Sequence, residues 1–247
     1  MSTAVPRITP KRIDVEVAGS TLPVARLDLP GVPRGAVILL GEADRLGDRV
    51  VELMNGLAEH GYESLAADLG ALGTLRDDAA AIAGLSALID HLGDARDWHG
   101  QQIGVIGFGY GGRIALRAAA ELDLGAAVSI SPSDLSGSHD GRPALTDSAR
   151  PVDTPWLGMF GAFDDDAPPA AVARLRERLT DPSPAYTEFV TYPGVDGDFF
   201  HESAEALGHA AMFDSWQRVI EWFNLRVVPR PTPRAEIWSL KQAISHS

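Results

Sequence analysis

Apolar positions along the 247-residue chain fall into short blocks. Some are continuous or alternate every second residue, as strands do; others recur three and four apart, as helices do. Ile13–Val17 and Val24–Leu29 read as a hairpin about the Gly19-Ser20 turn. Ala36–Leu40 (AVILL) is an unbroken apolar strand, followed by a helix over Arg49–His60 that Gly61 stops. Strand Ser64–Ala67 and helix Arg76–Leu92 come next, the helix ending at Gly93 with Ile82, Leu85, Leu88 and Ile89 at helical spacing. The remaining order is strand Ile103–Ile106, helix Gly111–Leu122, strands Ala127–Ile130 and Trp156–Phe160, helix Ala170–Leu179, strand Thr187–Tyr192 and helix Ala211–Leu225. Strands alternating with helices require crossover connections. The pattern therefore predicts an α/β fold with a doubly wound, mostly parallel sheet and an N-terminal antiparallel hairpin. Ligands of such sheets sit beyond the carboxyl ends of the strands, which directs attention to the loops after Leu40, Ile106, Phe160 and Tyr192.

Composition narrows the function. The chain is 45% hydrophobic and 22% charged, enough for one sizeable core. A formal charge of −13 repels phosphate backbones and anionic headgroups, so neither nucleic acid nor a membrane is expected as a partner. The absence of cysteine removes disulfides, thiolate metal sites and a cysteine nucleophile. With no long apolar run and no signal-peptide pattern near Met1, the expected location is cytoplasmic. No metal site is expected at Asp164-Asp165-Asp166, because three adjacent carboxylates cannot all face one ion; Asp165 and Asp166 are expected to cap the helix entered at Pro168.

The most informative segment is Gly107-Phe108-Gly109-Tyr110-Gly111-Gly112, between a strand and a helix. Gly107, Gly109 and Gly112 satisfy the GxGxxG dinucleotide pattern, but the following strand ends Ser129-Ile130-Ser131, where an acidic residue would hold the ribose, and the acid Asp134 comes only further along. The same frame fits a nucleophile elbow, GxSxG, with glycine where the nucleophile belongs. Four further segments extend this second reading: Val37-Ile38-Leu39-Leu40-Gly41-Glu42; Leu57-Ala58-x-x-Gly61-Tyr62 running to Ala67-Asp68-Leu69; Gly161-x-x-Asp164-x-x-Ala167-Pro168; and Tyr192-Pro193-Gly194-Val195-Asp196-Gly197-Asp198-Phe199-Phe200. In this order they resemble the dienelactone hydrolase (carboxymethylenebutenolidase) family of α/β-hydrolases.

The resemblance implies an α/β-hydrolase fold over residues 1–226 and assigns roles by position. Gly109 stands where the family has its nucleophile and Gly197 where it has its histidine; Asp164 matches the aspartate that orients that histidine, and Glu42 the glutamate that partners the nucleophile. Acyl transfer needs an atom to attack the carbonyl and a base to carry the proton, and glycine supplies neither. The expectation is a protein that has lost hydrolytic activity and binds a small carbonyl-containing or apolar ligand, or a protein partner, at a site widened by the two missing side chains. Tyr110, Arg45 and Asp198 are candidate pocket residues. The alternatives are acid/base chemistry (lyase, isomerase or cyclase) through Glu42, Asp164, Asp198 or His201, weak ester or lactone hydrolysis with Ser129 or Ser131 as a substitute nucleophile, and NAD(P) binding at the glycine cluster. No cofactor is expected under the leading reading.

Residues 227–247 lie beyond the resemblance. Pro229, Pro231 and Pro233 make a stiff connector, and Ala235–Ser245 reads as a short helix with Ile237, Leu240 and Ile244 at helical spacing beside Trp238. A helix this short must pack on something, either its own domain, a second copy of the chain, or another protein.

Overall fold

The computed structural model describes residues 7–41, 49–72, 77–137, 141–200, 206–232, 234–238 and 241. In chain order its elements are β1 (Lys11–Val17), β2 (Ser20–Leu27), β3 (Gly35–Gly41), α1 (Val50–Glu59), β4 (Tyr62–Asp68), α2 (Asp78–Arg96), β5 (Ile103–Phe108), α3 (Tyr110–Glu121), β6 (Ala126–Ile130), the single turn α4 (Leu145–Ser148), β7 (Trp156–Gly161), α5 (Pro169–Thr180), β8 (Thr187–Tyr192) and α6 (Ala206–Arg226). The strands form one eight-stranded sheet in the order β1-β2-β4-β3-β5-β6-β7-β8. The β1/β2 and β2/β4 pairs are antiparallel and every later pair is parallel.

The continuous apolar run of β3 has a simple cause. All seven of its residues are buried, because helices cover both faces of the central sheet. Val37 and Leu39 face α1 and α6, packing with Leu53, Met54, Leu57, Val219 and Phe223. Ile38 and Leu40 face the other way, onto Leu85 and Leu88 of α2 and Ile114, Ala115 and Ala118 of α3. Each such aliphatic side chain contributes roughly 1.5–3 kcal/mol by leaving water. The outer strand β1 instead alternates, burying Val15 and Val17 and exposing Asp14 and Glu16.

Strand β2 begins four residues before Val24 and ends two before Leu29, and two helix boundaries also depart from the sequence pattern. Helix α2 continues through Gly93 to Arg96 and ends where Asp97 adopts a left-handed conformation and bonds back to the Gly93 carbonyl. Helix α6 begins five residues earlier than Ala211. The parallel strands bring the turns after β3, β5, β6, β7 and β8 to one rim of the sheet, where the predicted site lies.

Candidate functional site

At the head of β5 the backbone reverses sharply into α3. Gly109 sits at the tip with φ +55° and ψ −116°, a conformation strained for a residue with a side chain. Its N–H donates to Ile130 O at 3.0 Å, and its carbonyl accepts from Ser133 N and from Arg113 N of α3, so the tip is held from both sides. The flanking glycines are required by contact. A Cβ on Gly107 would lie 1.9 Å from Gly111 O, and one on Gly111 would lie 2.2 Å from Leu40 O of β3. The turn thus packs directly on neighbouring backbone, which accounts for the glycine frame without a dinucleotide. The first N–H groups of α3 have no acceptor within the helix, and its positive end overlooks the rim.

On the same rim, after β7 and β8, is the pair Asp164 and Gly197. Asp164 follows β7, is 9% exposed, and accepts the Asp166 N–H at 3.0 Å through Oδ1. A Cβ on Gly197 would lie 2.6 Å from Asp164 Oδ2 and 3.0 Å from Oδ1. A side chain at 197 would therefore begin against the Asp164 carboxylate, which would have to shift to admit it. Nor do Asp165 and Asp166 cap α5: Pro168 holds the N-cap position and no side chain caps the helix.

The remaining predicted residues separate into groups. Tyr110 is buried at 3% exposure within the cluster formed with α2, and the Arg142 guanidinium lies 5.1 Å from its ring centroid. Burial, followed by the charge of Asp78, pushes its hydroxyl well above the usual tyrosine range, so it stays protonated. Asp198 is exposed on the turn after β8. Ser129 Oγ donates to Gly112 O at 2.7 Å and accepts from Trp156 Nε1 at 2.8 Å, the bonding of a structural hydroxyl. Ser131 adopts φ +41° at the end of β6 and is buried. Among the described residues no serine hydroxyl bonds to a histidine. Glu42, Arg45 and His201 lie outside the described residues.

Sequence reasoning missed an ionic cluster beside the elbow. Arg113, one turn into α3 and fully buried, donates from Nε to Asp78 at 2.9 and 3.1 Å and from Nη2 to Pro143 O at 3.1 Å. Arg117 reaches the same Asp78 carboxylate at 3.1 Å. Arg142 pairs with buried Asp134 at 2.7 Å. Asp78 thus ties the first two turns of α3 to the start of α2, while the Arg142–Asp134 pair joins two points of the segment that follows β6. The one local signal was the Arg113/Arg117 spacing of one helical turn; the contact with Asp78, 35 residues away in the chain, has no sequence signature.

The model of the Dienelactone hydrolase family matches residues 28–226. The chain belongs to that family. A protein of Escherichia coli O157:H7 that carries a provisional carboxymethylenebutenolidase name is 28% identical over 215 residues, covering 78% of this chain and 77% of that protein. One of the same provisional name from Methylorubrum extorquens is 23% identical over 232 residues, covering 86% and 79%. Among solved structures, a provisionally assigned dienelactone hydrolase of Klebsiella pneumoniae superposes with a TM-score of 0.73 at 24% identity, covering 87% of this chain and 98% of that one. A dienelactone-hydrolase-like promiscuous phosphotriesterase from metagenomic libraries superposes with a TM-score of 0.72 at 19% identity, covering 90% and 99%. These likenesses show the α/β-hydrolase fold. No helix among the described residues is long and apolar enough to cross a membrane.

Proposed function

We propose that this dienelactone hydrolase family member does not hydrolyse esters or lactones by covalent catalysis, and that it binds a small carbonyl-containing or apolar ligand at the sheet head. Gly109 occupies the nucleophile position of its family and Gly197 the histidine position. The observation that carries the reading is the elbow tip itself: the strained turn that would lift a nucleophile is built and held, yet it presents a hydrogen atom. The opposing loop supports it, since a side chain at 197 would begin 2.6 Å from Asp164 Oδ2 and the carboxylate would have to shift to admit an imidazole. Loss of triad side chains in serine hydrolases leaves only a residual ~10³–10⁴-fold rate over water.

What remains is suited to binding. The N–H groups opening α3 are donors for a carbonyl or carboxylate oxygen, and the helix end favours negative charge there by roughly 0.3–1 kcal/mol. Asp164, across the rim, favours ligands that also carry a hydrogen-bond donor.

Activated esters and a dienelactone, assayed alongside an active family member, test the first half of the proposal. Turnover at the background rate is expected, and turnover comparable to the active relative that is lost on changing the rim residues refutes it. A thermal-shift screen of small carbonyl compounds and carboxylates tests the second half. Stabilisation that Asp164→Ala weakens is expected for at least one of them; stabilisation by none of them rejects the ligand class.

A further inference from the structure

We propose that the C-terminal helix docks into a groove along α1 of a second copy of this chain. The connector before the helix is firmly attached to its own domain. Val227 is buried, Val228 N–H donates to Gln101 O at 2.8 Å, and Arg230 N–H donates to Arg34 O at 3.0 Å. The Arg230 guanidinium lies 3.7 Å from the Trp98 ring centroid and donates to the Arg96 and Asp97 carbonyls at 2.6 Å each. Beyond that anchor the body provides no cover: residues 234–238 and 241 are helical and all exposed, with Ile237 at 54% and Trp238 at 64%. A helix this short does not persist in water with its apolar side bare, so its partner surface lies outside its own chain.

The matching surface is a groove of about 600 Å³ between α1 and the two chain segments beside it. Ile8 forms one wall, fixed by Asn55, whose amide exchanges two hydrogen bonds with the Ile8 backbone at 2.7 and 2.9 Å; Leu29 and Pro30 form the other. The α1 residues that line it include Glu52, Asn55, Gly56 and Glu59, at positions i, i+3, i+4 and i+7. Arg234, Ile237, Trp238 and Lys241 of the tail repeat that spacing. On each helix the two charges are two turns apart, roughly 10.5 Å along the axis. Two acids flanking a low centre therefore meet two bases flanking an apolar pair, and the pairing works with the helices parallel or antiparallel.

The wider charge distribution agrees. Three of the 21 basic residues (Arg230, Arg234, Lys241) but only one of the 34 acids (Glu236) lie beyond residue 226, so the tail is basic in a chain of net charge −13. Glu59 makes no ion pair among the described residues, and Glu52 pairs only with exposed Arg7 at 3.1 Å. Reciprocal exchange of tails between two copies buries both grooves.

Light scattering and native mass spectrometry of the full chain over a concentration series test this. Expected is a two-copy species that Trp238→Ala weakens roughly 30-fold, as loss of an aromatic anchor does. Because Trp238 is exposed in the single chain, that variant keeps its fold. Arg234→Glu with Lys241→Glu is expected to separate the copies, and adding Glu52→Arg with Glu59→Arg to the same chain to rejoin them. A monomer at every concentration overturns the proposal, as does a dimer indifferent to Trp238→Ala. So does a monomer in which Trp238 is shielded from a soluble quencher, which would place the helix on its own groove.

Discussion

Asp164 Oδ2 lies 2.6 Å from the point where a Cβ on Gly197 would begin. Gly197 has no positive φ, so a side chain there is opposed by that contact alone and not by the backbone. Gly197→Ala is expected to cost about 1–2 kcal/mol in urea unfolding, in the range of an overpacked contact. In an Asp164→Ala background the same change is expected to cost close to nothing. A double-mutant cycle measures the difference; a Gly197→Ala cost that is the same in both backgrounds would show that the two positions are not in contact.

The elbow glycines are required for two different reasons, and unfolding experiments separate them. At Gly109 the backbone conformation itself opposes a side chain, so Gly109→Ala is expected to lose about 1–2 kcal/mol. At Gly111 the cost is a collision with Leu40 O, 2.2 Å from the would-be Cβ, and Gly111→Ala is expected to lose about 3 kcal/mol or more. Equal costs would contradict this account of the turn.

Asp78 and Arg113 give the fold a dependence on acid. Burial alone would raise the Asp78 pKa, but hydrogen bonds and charge from Arg113 and Arg117 outweigh it and hold the carboxyl below the ordinary aspartate range. A group whose pKa is depressed by folding contributes its full stabilisation above its unfolded-state pKa of about 3.9 and loses it as pH falls from there through the folded-state value. Asp78→Asn strands a fully buried guanidinium and is expected to cost about 3 kcal/mol near neutral pH. It should also flatten the decline of the urea midpoint below pH ~4; an unchanged acid limb would remove Asp78 as its source.

Much of this architecture was legible because the buried strands carry their own signal. The bounds Thr187–Tyr192 agree to the residue, and AVILL marks a strand buried throughout, since helices on both faces leave no polar side to write. Helix ends were harder. Gly93 looked like a stop, but α2 runs on because Leu92 and Trp98 are buried, and the left-handed residue falls at Asp97. The short α4 was not foreseen, nor was the ionic cluster at Asp78, because pairing across 35 residues leaves no periodicity. The motif register placed Gly109 on the turn into α3 and Gly197 on the turn after β8, and the structure has both there. The closeness of the Asp164 carboxylate to Gly197 was not legible, since a motif records residue types and not what packs beside them.

The central claim is that no acyl group is ever transferred to this protein. Intact-protein mass spectrometry after incubation with an activated ester and with a fluorophosphonate tests it directly, using an active family member as positive control. The account predicts an unmodified mass for this chain under conditions that fully label the control. A stoichiometric adduct mapped to a serine or threonine at the sheet-head rim would contradict it and make the protein a working hydrolase.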